Sequence, residues 1–158
     1  MKKYIIISAL LFTAYAVQSC SDNGYDLPYD DYASFTWWSS PKTTYNTTTK
    51  TAKLNKFMAF QDVSKGDLSH EWIISQGTAF MKPGFSENDS LNYAKFIIPD
   101  AGLVTNEKLA YVLFQEAGVK TIKIKNTYKD SIRGTKKVDG VWTAEQTITV
   151  TVSTPVIP

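Results

Sequence analysis

The sequence predicts an all-β fold, an antiparallel β-sandwich of about seven strands. Short apolar runs recur between turn-forming clusters, and no stretch of the chain keeps a helical period over several turns. Two runs alternate strictly: Thr121-Ile122-Lys123-Ile124-Lys125 and Thr147-Ile148-Thr149-Val150-Thr151-Val152 put branched aliphatics on one face and polar groups on the other. That is the pattern of a half-buried strand. The single cysteine, Cys20, excludes a disulfide within the chain, so packing must hold the fold.

Taken in order, Ala33 to Trp38 reads as a first strand, and its neighbours Trp37 and Trp38 must point to opposite faces, one into the core and the other outward or over an edge. Lys42 to Lys53 is threonine-rich without an apolar face, a loop or an edge strand. Within it Asn46-Thr47-Thr48 fits the N-linked sequon. Phe57 to Phe60 forms a strand that runs into a turn over Asp62 to Asp67. The next strand spans His70 to Ser75, with His70 at its solvent-facing start and Trp72 buried at its middle. Thr78 to Met81 is a further short strand, closed by Pro83-Gly84, and Ser86-Glu87-Asn88-Asp89 caps a helical turn. Phe96-Ile97-Ile98 reads as a strand before the turn Pro99 to Gly102, and Leu109 to Phe114 as a central one. After the turn Gln115 to Gly118, the alternating strand Thr121 to Lys125 extends through Tyr128. The polar stretch containing Asp130, Arg133, Lys136, Lys137 and Asp139 reads as a solvated hairpin end. Thr147 to Val152 is the last strand, and Pro155 and Pro158 end its ladder. Residues 32–154 are thus the sandwich, and residues 155–158 a tail or a linker to a further domain.

The start of the chain has a different texture. Lys2 and Lys3 precede an apolar run from Tyr4 to Val17, which is followed by Gln18, Ser19 and Cys20. Residues 1–19 read as a signal peptide, and the run is short of the ~20 apolar residues that a spanning helix needs. A small residue before a lone cysteine resembles the lipobox of bacterial lipoproteins. The resemblance implies an acyl chain such as palmitate on Cys20, and an outer-membrane anchor through that lipid. Residues 20–31 are an acidic tether carrying Asp22, Asp26, Asp30 and Asp31. These aspartates either keep a linker solvated or act in sorting, since acidic residues after the lipidated cysteine resemble the surface-export signal of Bacteroidota-type lipoproteins. A calcium loop fits worst, because their spacing matches no EF-hand. Without Lys2 and Lys3 the chain carries 15 basic against 15 acidic side chains. A neutral domain has no electrostatic reason to bind nucleic acid.

The run Leu113-Phe114-Gln115-Glu116-Ala117-Gly118-Val119-Lys120-Thr121-Ile122-Lys123-Ile124 is similar to the corner of polycystic-kidney-disease (PKD) domains, and Thr147 to Val152 to their terminal strand. Trp72 stands where an immunoglobulin-like sandwich puts its core tryptophan. PKD domains usually continue from that tryptophan as Trp-Asp-Phe-Gly-Asp-Gly, whereas this chain reads Trp72-Ile73-Ile74-Ser75-Gln76-Gly77. The likeness is therefore to divergent PKD-like domains of Bacteroidota surface lipoproteins. It implies a place in glycan capture and handling at the cell surface, with polysaccharide or other surface lipoproteins as partners.

Catalytic chemistry is not expected. His70 is the only histidine, and the chain has no nucleophile elbow, no phosphate-cradling glycine loop and no zinc-ligand spacing. No cofactor and no metal are predicted. Asp62, Asp67, Glu71 and Glu116 are the acids from which a glycosidase pair would be drawn, but all flank turns. Two readings from different classes remain. One is a spacer or interaction domain. The other is a glycan-binding module in which Trp37, Trp38, Trp142 and Tyr45 stack on sugar rings, and it requires those aromatics to be exposed. Asp89-Ser90-Leu91 and Asp130-Ser131-Ile132 resemble acceptor sequences of bacterial O-glycosylation, which makes Ser90 and Ser131 candidate sites.

Overall fold

The computed structural model describes residues 32–41 and 44–154. The leader, Cys20 with its tether, and the tail 155–158 lie outside the described residues. Eleven strands are described: β1 (Trp37–Ser39), β2 (Thr44–Tyr45), β3 (Thr49–Lys53), β4 (Phe57–Asp62), β5 (Asp67–Ile74), β6 (Thr78–Met81), β7 (Val104–Thr105), β8 (Leu109–Phe114), β9 (Gly118–Tyr128), β10 (Lys136–Val138) and β11 (Val141–Ser153). They form two sheets, ordered β2-β1-β4-β8-β6 and β10-β11-β9-β5-β7, with β3 lying along the far part of β11. The β3–β11 ladder is parallel and makes the second sheet mixed. The fold is the predicted β-sandwich, with more strands than expected.

Alternation builds the core. β9 turns Ile122, Ile124, Asn126 and Tyr128 inward, and β11 turns Ala144, Ile148, Val150 and Val152 inward. The first sheet answers with Met58, Phe60, Ala110, Val112 and Phe114. Trp72 is fully buried among them, its ring centroid 5.8 Å from that of Phe60. A second apolar cluster sits on the outer face of the first sheet. There Phe57 and Tyr111 are covered by the segment after β6, with ring centroids 4.3 Å apart for Phe57–Phe85 and 5.0 Å for Phe85–Tyr111. The 3-10 helix Glu87–Asp89 fixes that segment, because Asp89 Oδ2 accepts from both the amide (2.8 Å) and the hydroxyl (2.9 Å) of Ser86.

Several expectations are corrected. The first strand starts at Trp37, not Ala33; Ser34 makes an isolated bridge to Lys65 instead. Phe96 to Ile98 is not a strand: Tyr93–Phe96 is a 3-10 helix, and Ile97 makes a single bridge to Met81 before Pro99 ends the pairing. The polar stretch after Tyr128 contains β10, which pairs with the start of β11, so the last strand begins at Val141 rather than Thr147. His70 does not meet solvent. It lies within β5 and is 6% exposed.

The register also sets where the chain enters and leaves the sandwich. Ser34 lies at the Tyr128 end, where the Tyr128 hydroxyl donates to the Ser34 carbonyl at 2.9 Å. Ser153 lies at the other end, one residue beyond the Val152–Gly118 pair. The long strand β9 separates the two, a span of roughly 34 Å at the usual rise per residue.

Candidate functional site

The pairing of β1 decides which of the predicted aromatics are available. Trp37 and Ser39 point inward and Trp38 outward, as β1 requires of neighbours. Asn46 fixes this choice. Held at a positive φ of 53°, it donates its amide to the Trp37 carbonyl (2.9 Å) and accepts the Trp37 amide on Oδ1 (3.1 Å). Trp37 is 4% exposed, packs on Phe35 with ring centroids 5.2 Å apart, and is a core residue. It is corrected as a ligand candidate.

Trp38 is half-buried and stands directly between Tyr45 on β2 and Gln61 on β4. Residues opposite one another in a ladder share a face. Tyr45, Trp38 and Gln61 therefore form an outward row that Leu109 on β8 continues, with Tyr45 60% and Leu109 39% exposed. Beside the row, Lys50 Nζ donates to Thr44 Oγ1 at 2.5 Å and approaches the Ser39 carbonyl at 3.4 Å, holding the β1–β2 hairpin to β3. Burial lowers the pKa of this ammonium. A shallow groove of about 320 Å³ runs there between Pro41, Thr47, Thr49 and Lys50.

Trp142 belongs to the other sheet and is not brought to the row. It faces the same side as buried Tyr128, its ladder partner, and is half-buried with Lys137 Nζ 5.6 Å from its ring centroid. Of the two serines, Ser90 follows the 3-10 helix and is half-buried, its carbonyl accepting from Lys56 Nζ at 2.6 Å, whereas Ser131 is exposed. Asp89 is engaged by Lys95 and Ser86, which hold its carboxyl down to about 2.

Each of the four acids has a cationic partner. Asp62 and Asp67 are bridged by the Lys108 ammonium, at 2.8 and 2.6 Å, while Glu116 pairs with Lys120 at 2.7 Å. Glu71 lies opposite Lys125 on the outer face of the second sheet. Asp62 is the centre of a buried cluster that the sequence reading missed. Its Oδ2 receives His70 Nδ1, Lys108 Nζ and Asn126 Nδ2, each at 2.8 Å, and its Oδ1 receives the Ser64 amide at 2.8 Å. His70 Nε2 lies 3.1 Å from the Glu107 carbonyl. Burial works against the charged carboxylate, but these donors outweigh it and hold the Asp62 pKa well below the ordinary carboxylate range. Burial likewise works against a charged His70, and the Asp62 carboxylate outweighs it, raising the imidazole pKa. Lys108 is raised as well, because Asp62 and Asp67 overcome its partial burial. Tyr128, pushed up to about 12 chiefly by burial, stays neutral.

A signal for this cluster was present. Asp62 continues the inward set Met58-Phe60, His70 precedes Trp72 and Ile74 by the same period, and Asn126 follows Ile122 and Ile124. With both ring nitrogens of His70 committed to protein oxygens, the imidazole offers none to a substrate. Among the described residues no group of three or more side chains is arranged to hold a metal ion. Compared with protein-family models, with curated proteins and with solved structures, the chain has no match.

Proposed function

We propose that the protein is a lipid-anchored cell-surface module that serves as a spacer or interaction domain in an outer-membrane glycan-handling system. One observation carries the spacer reading: the described chain enters the sandwich at the Tyr128 end and leaves at the Gly118 end, so the domain adds its full length to any chain it interrupts. Its two most buried tryptophans, Trp37 and Trp72, support this reading because both are used in packing. The leader, Cys20 and the acidic tether supply the surface address, and the PKD-like run from Leu113 to Ile124 supplies the glycan context.

The outward row Tyr45-Trp38-Gln61 favours a second reading, direct glycan binding, since two aromatic rings and an amide on one face can stack on a sugar and hydrogen-bond its hydroxyls. A polysaccharide-retention screen of the full chain, Trp38→Ala and Tyr45→Ala separates the two. The spacer reading expects no sugar to be retained by folded protein. Retention that both substitutions abolish assigns the second function instead. Cell fractionation of Cys20→Ala tests the anchor: the variant should leave the membrane fraction, and undiminished partitioning after leader removal would contradict lipidation.

A further inference from the structure

We propose that His70 is an imidazolium at neutral pH and acts as a proton-dependent latch that pins the β7–β8 loop, residues 106–108, to the interior of the sandwich. The ring has only oxygen acceptors around it. Nδ1 lies 2.8 Å from Asp62 Oδ2 and 3.3 Å from Asn126 Oδ1, and Nε2 lies 3.1 Å from the Glu107 carbonyl. The orientation of Asn126 is itself fixed, because its Nδ2 donates to Asp62 at 2.8 Å and so turns Oδ1 toward the ring. A neutral imidazole carries one N–H and one lone pair. Whichever nitrogen held the single proton, the other would set its lone pair against a carboxylate or a carbonyl, inside the protein. The imidazolium alone satisfies both contacts.

Charge balance gives the same answer. The charged groups around this contact are Asp62 from β4, which pairs with His70 directly, and Lys108 from the loop, whose ammonium joins Asp62 to Asp67 at the start of β5. Tyr128 from β9 is neutral, and Asn126 and the edge-on Trp72 ring complete the surroundings, the latter with its centroid 5.7 Å from that of His70. The Lys108 side chain is 46% exposed, whereas those of Asp62 and His70 are 0% and 4% exposed, so the imidazolium is the cation that meets the Asp62 carboxylate inside the protein. Uncompensated buried charge is what proteins avoid.

One of the ties that hold the loop depends on this proton. Glu107 is tied by its carbonyl to His70, and Lys108 by its ammonium to Asp62 and Asp67. The Lys108 carbonyl accepts the Asp62 amide at 2.8 Å, so the backbone of the loop and the end of β4 move together. When His70 deprotonates, the remaining proton stays on Nδ1 against the Asp62 carboxylate, the stronger acceptor, so the Nε2 contact to the Glu107 carbonyl is lost and the loop is released from the ring.

The chain has one histidine, which makes the test direct. Nitrogen NMR of that ring in the untagged full chain should show both nitrogens protonated at neutral pH, with a titration midpoint above the unperturbed 6.5. The amides of residues 105–109 and Asp62 should shift and lose exchange protection with the same midpoint. Lys108→Gln should move the midpoint upward, because removing a neighbouring cation favours the proton; a purely structural lysine would leave it unmoved. His70→Gln should lose the protection of the loop at every pH, and if that variant does not fold the wild-type titration still decides. A ring with one unprotonated nitrogen at pH 7, a midpoint at or below 6.5, or loop amides indifferent to the titration would each overturn the latch.

Discussion

Trp72 and Trp38 show how much the facing of one side chain matters. Trp72 is fully enclosed against Phe60 and His70, and replacing such a side chain by alanine costs about 3–5 kcal/mol. A domain of this size has only about 5–15 kcal/mol to lose. Trp72→Ala should therefore lower the denaturant midpoint sharply or unfold the domain, whereas Trp38→Ala, on the outer face, should cost well under half as much. A Trp72→Ala protein of wild-type stability would contradict the placement of β5. The Asp62 cluster makes stability depend on pH from both sides. The Asp62 carboxyl is lowered on folding, so its contribution is present above the unfolded carboxylate pKa and is lost as pH falls through the lower, folded one. His70 is raised, so its contribution is full below the unfolded value of 6.5 and is lost as pH rises through the folded one. Denaturant titrations across pH should show loss on both limbs, and Asp62→Asn should flatten both while costing about 3–5 kcal/mol, the usual result of leaving charges buried without their partner.

At the level of elements, turns and edges do the specifying. Gly77 joins β5 to β6 with φ at 77°, and a Cβ there would run into the Glu116 carboxylate and the Lys120 ammonium that close over it. Gly77→Ala should thus both strain the backbone and displace that ion pair, lowering the melting temperature by several degrees, a shift of the size that about 1 kcal/mol produces in a small domain. A melting temperature within experimental error of wild type would show that this turn relaxes freely. The same scale explains which strands could be read from residues alone. β11 declared itself where threonine alternates with Ile148, Val150 and Val152, but its first half, Val141 to Gln146, mixes small and polar residues and becomes a strand through its partners β10 and β9. β7 is two residues long and owes its existence to Trp72 and Ile73 across the ladder, a pairing no local pattern announces. Phe96-Ile97-Ile98 looked like a strand because it is apolar and carries two β-branched residues; Phe96 instead joins the aromatic cluster on the first sheet, its ring centroid 5.8 Å from that of Phe85, while Ile98 is 41% exposed. The buried charges were missed for the opposite reason. A lone histidine and an aspartate beside a turn look solvated by type, and only their phase relative to Phe60, Trp72 and Ile124 places them inside.

For the whole molecule, the consequence of these registers is directional. The chain passes through the sandwich from one end to the other, with β9 and β11 as its long members and the Asp62 cluster at the end where it enters. A domain that brought both ends of the chain to one side would add little reach; this one adds nearly its full length. The distance between labels at the two ends tests that account most directly. With Cys20→Ser removing the only native thiol, Tyr32→Cys and Thr154→Cys place spin labels on two exposed positions at opposite ends. The predicted result is a single narrow distribution centred on the order of 30 Å or more, set by the length of β9, and a distribution centred below about 20 Å would contradict it.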